Sequence, residues 1–264
     1  MNRYIRRILM VVLAFIIIGC AVWLFIYYGG SYKSEKEKDN VRELIDEDAR
    51  IPEDIEIKDG VTIDKKTGEP TVNPKFDSLL KQYPKFVGWL TIGGTKVDYP
   101  VVQTPEDEEY YLRRDINGKD DKAGTLFVDT DSDLKRPSTN IIIYGHNMHA
   151  GTMFHDILKY ADEDFYKEHK YITFDSIFRR GTYEVIAAFY TKIGYEDSGD
   201  FKYYRFFDAA TVSEFDDYVN NCKKLTSYET GEASFGDELL TLSTCSYHTD
   251  NGRYVVVAKK IDKE

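Results

Sequence analysis

The run Leu239 to Cys245, LLTLSTC, is apolar and threonine-rich, and it ends on a thiol before the chain turns polar at Ser246-Tyr247-His248. A cysteine attacks as its thiolate, which requires partial exposure and a nearby base or cation. The end of a strand supplies the exposure. A second apolar run, Asn140 to Tyr144, is followed by Gly145 and His146, so an imidazole also stands at a strand end. A neutral imidazole beside a thiol takes its proton and, as imidazolium, returns one to a departing amine, so one histidine serves both steps. Arg253 opens a third run, RYVVVAKKI. If the loop Ser246 to Gly252 joins two neighbouring strands, Cys245 and Arg253 share one end of the sheet, where a rigid, permanently charged fork of donors can stabilise a tetrahedral oxyanion. Spacing alone leaves the bland alternatives open: a structural cysteine, a solvated histidine and a solvated arginine.

The elements that must position these residues read mainly as strands. Trp89 to Ile92 and Lys96 to Tyr99 flank Gly93-Gly94-Thr95, Pro100 to Val102 follows, and Gly124 to Val128, Asn140 to Tyr144, Tyr171 to Asp175, Thr182 to Tyr190, Glu238 to Thr244 and Tyr254 to Ile261 are further short apolar runs. The spacing predicts a mostly β fold of about eight strands in a closed or nearly closed barrel, which removes exposed edges. Helices are predicted at Lys75 to Gln82, Thr152 to Ala161 and Thr211 to Leu225. The last presents Val212, Phe215, Val219 and Cys222 on one face, which makes Cys222 a packing residue.

Ile8 to Tyr28 carries no formal charge over 21 positions, enough to cross a bilayer as a helix. Arg3, Arg6 and Arg7 precede it and predict a cytoplasmic N-terminus, with the rest of the chain outside; Trp23, Tyr27 and Tyr28 suit the outer interface. A signal peptide, or a lipoprotein signal ending at Cys20, fits less well because the apolar run continues past Cys20. The expected organisation is a cytoplasmic N-terminus (1–7), a transmembrane helix (8–28), an extracellular stalk or linker (29–73) and one catalytic domain (74–264). Within the linker, Ser34 to Glu37 has capping-box spacing and Val41, Leu44 and Ile45 share a helical face, while Asp59-Gly60 centres a hairpin signal.

The formal net charge is −11, and setting aside the three arginines leaves −14 on residues 29–264. A surface that acidic repels phosphate backbones, so nucleic acid is not an expected partner. Of three cysteines, only Cys222 and Cys245 lie outside the apolar helix. They could form one disulfide, but a domain of this size does not need such a staple.

The segments NIIIYGHNM (140–148), TLSTC (241–245) and GRYVVVAK (252–259) closely resemble the histidine, cysteine and arginine motifs of sortases, in the same chain order and behind an N-terminal anchor. The resemblance runs from about Asn73 to the C-terminus. It is nearest to class B, whose members carry an extra helix before the penultimate strands, as at 211–225. It implies a sortase-like β-barrel with peripheral helices and a cysteine transpeptidase that cleaves a C-terminal sorting signal, often of the Asn-Pro-x-Thr type, after the Thr. By that resemblance Cys245 forms a thioester, His146 protonates the leaving amine and Arg253 holds the oxyanion or the substrate backbone. The partners implied are secreted proteins bearing the signal and an amine of peptidoglycan or its lipid-linked precursor. No cofactor and no metal are expected. Leu112, Ser243 and Thr244 match positions that line the substrate groove in class B members, against the alternative of ordinary packing. Some relatives place acidic residues just after the cysteine, where this chain has Ser246-Tyr247-His248.

Three other functions compete. A thiol hydrolase would share the acyl-enzyme and hand it to water. A zinc site would use Cys245 with His146, His149 and His248. A non-enzymatic wall-binding module would use its 21 Tyr as contact surface.

Overall fold

The computed structural model describes residues 3–194 and 199–261, with the side chains of residues 24–34 outside that description. Eight strands follow a small hairpin. The hairpin is β1 (Ile55–Lys58) and β2 (Val61–Asp64); the barrel strands are β3 (Phe86–Ile92), β4 (Asp98–Val102), β5 (Leu126–Val128), β6 (Asn140–Tyr144), β7 (Tyr171–Ser176), β8 (Thr182–Lys192), β9 (Leu239–Cys245) and β10 (Gly252–Ile261). The eight close into a barrel in the order β10-β8-β7-β3-β4-β5-β6-β9, as the strand count predicts. Two neighbouring pairs run parallel, β4 with β5 and β6 with β9. The predicted strand start at Lys96 is instead part of the turn into β4, where the Thr95 hydroxyl accepts from the Val97 amide at 3.0 Å.

Alternation sets which side chains fill the barrel. Ile141 and Ile143 of β6, Leu240 and Leu242 of β9, and Tyr254, Val256 and Ala258 of β10 join one buried cluster inside. Their neighbours along each strand face outward but are covered, which is why these strands read as continuous apolar runs and not as an alternating pattern. Leu239, Val255 and Val257 pack under α4 (Val212–Leu225) through Phe215, Val219 and Cys222. Thr211 caps that helix reciprocally with Glu214, whose amide it receives at 3.3 Å. On another outer face Tyr144 packs against a cluster containing Phe76, Phe127 and Tyr111.

The predicted helix at Lys75 to Gln82 is a 3-10 turn (Pro74–Phe76) capped by Asn73, followed by α2 (Asp77–Gln82). That predicted at 152–161 is a 3-10 helix, Phe154–Ala161. A short α3 (Glu163–Glu168), capped by the Asp162 carboxylate, was not expected from sequence.

The first helix, α1 (Arg3–Arg42), runs 40 residues without a break, so the spacing at Ser34 to Glu37 does not start a new helix. Its Arg3–Trp23 part is long and apolar enough to cross a membrane, with mean hydropathy 2.5. The side chains of Tyr27 and Tyr28, expected at the outer interface, lie outside the described residues. Residues 35–73, expected as a connector, lie against the barrel. Val41 is fully buried, Arg42 pairs with Asp98 at 2.5 Å and lies over the Trp89 ring, and Glu35 accepts from the Tyr99 hydroxyl at 2.6 Å. Residues 35, 38, 41 and 42 share one helical face, so a stretch that is highly charged by composition still carries a docking stripe. The hairpin forms where predicted, with Asp59 and Gly60 both at positive φ (50° and 74°), and the Thr62 amide donates to the Phe178 carbonyl at 2.9 Å.

Candidate active site

Cys245 is the last residue of β9, and its strand neighbours decide what surrounds it. On one side the antiparallel register sets Arg253 of β10 opposite Cys245. On the other side β6 runs parallel to β9 with Tyr144 opposite Ser243, and the Gly145 amide extends the ladder by donating to the Ser243 carbonyl at 3.1 Å. Two residues beyond these partners stand His146 and Cys245, level with each other. Counting along the pleat, Cys245, Arg253 and His146 all fall on the outward side, the side of Ser243, Val255 and Tyr144. Cys245 and His146 are half-buried, and so is Arg253. The three groups therefore share one rim, between the cluster under α4 and the cluster around Tyr111.

The glycine ahead of the histidine is required by packing. A Cβ on Gly145 would lie 2.3 Å from Leu126 Cδ2 and 2.8 Å from Phe154 Cδ2, inside the barrel wall. His146 is then held from both ends. Its carbonyl accepts from the Phe154 amide at 2.9 Å, and its ring Nε2 lies 2.7 Å from the Leu112 carbonyl. A carbonyl only accepts, so Nε2 carries the proton, and Nδ1 is the nitrogen left for proton exchange. Leu112 ends up close to the histidine through its backbone, in the 3-10 helix Glu108–Arg113, and Gly124 lets the chain pass beneath: a Cβ there would sit 2.5 Å from the same carbonyl oxygen.

Ser243 and Thr244, expected to line a groove, are almost wholly buried. The Ser243 hydroxyl is bonded to the Tyr203 hydroxyl at 2.7 Å, and that of Thr244 donates to the Gly145 carbonyl at 2.6 Å. Both are spent inside the protein, one flooring the site and one clamping β9 to the glycine before His146. Tyr203 was not found from sequence. Burial pushes its phenol up to about 12, partly offset by the Ser243 hydrogen bond and by the Arg253 charge, so it stays neutral near Cys245 and Arg253. Nearby, burial raises the Asp129 carboxyl while bonds from the Asp131 amide and the Tyr144 hydroxyl (2.8 Å) oppose the rise.

The three histidines of the zinc alternative go to different partners. The His149 ring stacks on Tyr247, His248 Nδ1 bonds the Ser246 hydroxyl at 2.9 Å, and His146 takes the Leu112 carbonyl. Among the described residues no group of three or more His, Cys, Asp or Glu is placed to hold a metal ion.

A closed eight-stranded barrel presenting cysteine, histidine and arginine on adjoining strand ends defines a sortase: residues 90–261 match the Sortase domain family, and the chain belongs to it. Within the family it is of class B. It is 32% identical over 243 residues to Sortase B of Listeria monocytogenes, covering 91% of this chain and 93% of that protein. The crystal structure of sortase B from Bacillus anthracis in complex with AAEK1 superposes with a TM-score of 0.71 at 28% identity, over 89% of this chain and 100% of that one. A Staphylococcus aureus sortase B–substrate complex gives 0.65 at 30% identity, over 73% and 87%. Members of the family are cysteine transpeptidases, and this chain is a transpeptidase that cleaves sorting signals.

Proposed function

We propose that Cys245 attacks the Thr carbonyl of an Asn-Pro-x-Thr-like sorting signal, that His146 manages the protons and that Arg253 holds the developing oxyanion. The thiolate forms a thioester as the C–N bond breaks, and the departing amine takes a proton from the His146 imidazolium. An amine of cell-wall peptidoglycan, or of its lipid-linked precursor, then attacks the thioester. It gives its proton to His146, forms a new amide and frees the thiol. Arg253 is suited to its task because its guanidinium is charged throughout and needs no reorganisation as the oxygen becomes negative.

The observation that supports this reading most directly is the register that puts Cys245 opposite Arg253 and level with His146 on one outward face. The apolar part of α1 serves in this reading as a membrane anchor with its three arginines in the cytoplasm and the barrel outside. Residues 74–264 act as the catalytic domain, with 35–73 as its docked collar. The test is mass spectrometry on the protein incubated with a library of Asn-Pro-x-Thr pentapeptides, with and without triglycine as the amine. A Cys245-linked acyl adduct that passes to triglycine supports the reading; adducts resolved only by water would make the protein a hydrolase, and adducts on another residue would remove the assignment.

A further inference from the structure

Beyond the last main-chain rung between β6 and β9, the bond to the Cys245 carbonyl comes from a side chain. Asn147 Nδ2 donates to that oxygen at 3.2 Å, across 98 residues of sequence. The other end of the same amide, Oδ1, lies 2.8 Å from Nδ1 of His155. These contacts admit one assignment. The Cys245 carbonyl only accepts, so it must face the amide nitrogen; Oδ1 then faces His155, and His155 Nδ1 must carry a proton. The orientation is the same whether the His155 ring is neutral or charged.

The surrounding loop delivers His155 to this place. Asn147 and Met153 form an isolated bridge, and Met153 holds the unusual backbone φ 57°, ψ −130° with its amide on the Tyr99 hydroxyl at 3.1 Å. A bulky residue rarely adopts that region and persists there where its surroundings over-determine it. The chain thereby reverses directly after His146, and the His155 ring returns over Asn147. Asn147 is almost wholly buried, while His155 is half-buried.

We propose that Asn147 is a positioning residue for acyl transfer and that His155 acts through it: the amide ties the carbonyl of the nucleophile to the residue next to the base, and the imidazole stops the amide from turning. The idea rests on Cys245 and His146 having the roles given above. Neither Asn147 nor His155 is asked to touch substrate, so their loss should appear in the rate and not in substrate binding.

The experiment measures kcat and KM for transfer of an Asn-Pro-x-Thr peptide to triglycine, together with the rate of Cys245 alkylation by iodoacetamide. Asn147→Asp keeps shape and the acceptor for His155 but removes the donor to Cys245, and should lower kcat by roughly 10- to 100-fold with KM within about twofold. His155→Leu should lower kcat by about tenfold, while His155→Asn, which keeps an N–H donor near the place of Nδ1, should recover most of it. The double variant Asn147→Asp/His155→Leu should be no slower than Asn147→Asp alone, because the second residue works only through the first. Unchanged kcat in either single variant, or multiplicative losses in the double, overturns the proposal. If Asn147→Asp does not fold, the His155 pair, on a half-exposed ring, decides alone by whether Asn rescues. Should Cys245 resist alkylation in the unaltered protein, the assignment of the nucleophile fails instead, a different result from any of these.

Discussion

Two cysteines of this chain, Cys222 and Cys245, show how location decides what a thiol does. Cys222 lies on the packing face of α4 with no exposure, beside the Tyr218 ring, and burial drives its thiol well above the ordinary range. Cys245 lies partly exposed at a strand end, between the strand of a guanidinium and the strand of an imidazole. A dry, apolar setting disfavours the thiolate and makes a small core residue. An open rim with cationic neighbours favours the thiolate, the form that the proposed mechanism requires of Cys245.

The same substitution at both sites should therefore separate activity from stability. Cys245→Ala should take acyl transfer to background, a loss of at least ~10⁴-fold, with the thermal midpoint within about 1–2 °C of the parent. A folded variant that still turns over substrate breaks the comparison at its centre. Arg253→Lys keeps the charge but loses the planar fork and should cost ~10²–10³-fold in kcat; parity between Lys and Arg would leave only a simple charge requirement there. Cys222→Ala should leave kcat within about twofold and lower stability by roughly 1–3 kcal/mol through the space left beside Phe215 and Tyr218, read as a urea midpoint shift at constant slope. The smallest effect is in pH. The folded Cys222 thiol sits above its unfolded value near 8.5, so the unfolded chain releases the proton first; the stability linked to it is complete below about pH 8.5 and is lost as pH rises toward the folded value. Between about pH 8.5 and 10, before tyrosines dominate, urea midpoints should fall less steeply in Cys222→Ala than in the parent. Parallel slopes would mean the buried thiol contributes nothing to the linkage.

Much of this division was legible in the sequence. Cys222 fell on the apolar face of a predicted helix, Cys245 and His146 each followed or closed an apolar run, and Arg253 opened one. Short apolar runs bounded by turn residues mark strands even where both faces are covered, so the barrel followed from local signals. What escaped were contacts made between loops. Tyr203 is one of two tyrosines among the aromatics of FKYYRFF, and only the fold brings its hydroxyl to Ser243. Leu112 was noticed as a side chain but meets His146 through its carbonyl, which no residue type announces. Ser243 and Thr244 were expected to contact ligand; their hydroxyls instead meet Tyr203 and the Gly145 carbonyl, partners carried by other segments. In the linker, Val41 was legible on a helical face, but nothing local announced that this face meets the barrel or that Arg42 pairs with Asp98.

The seam between β6 and β9 closes the cylinder between segments that are distant in the chain, with Gly145 and Thr244 joined across 99 residues. Arg253 meets Cys245 through a short hairpin, a local event, whereas His146 reaches it only when this distant pairing forms, and distant pairings are slow. A chain arrested partway through folding holds its sulfur beside a guanidinium but without the imidazole. On the proposed roles, chemical competence arrives together with structural completion.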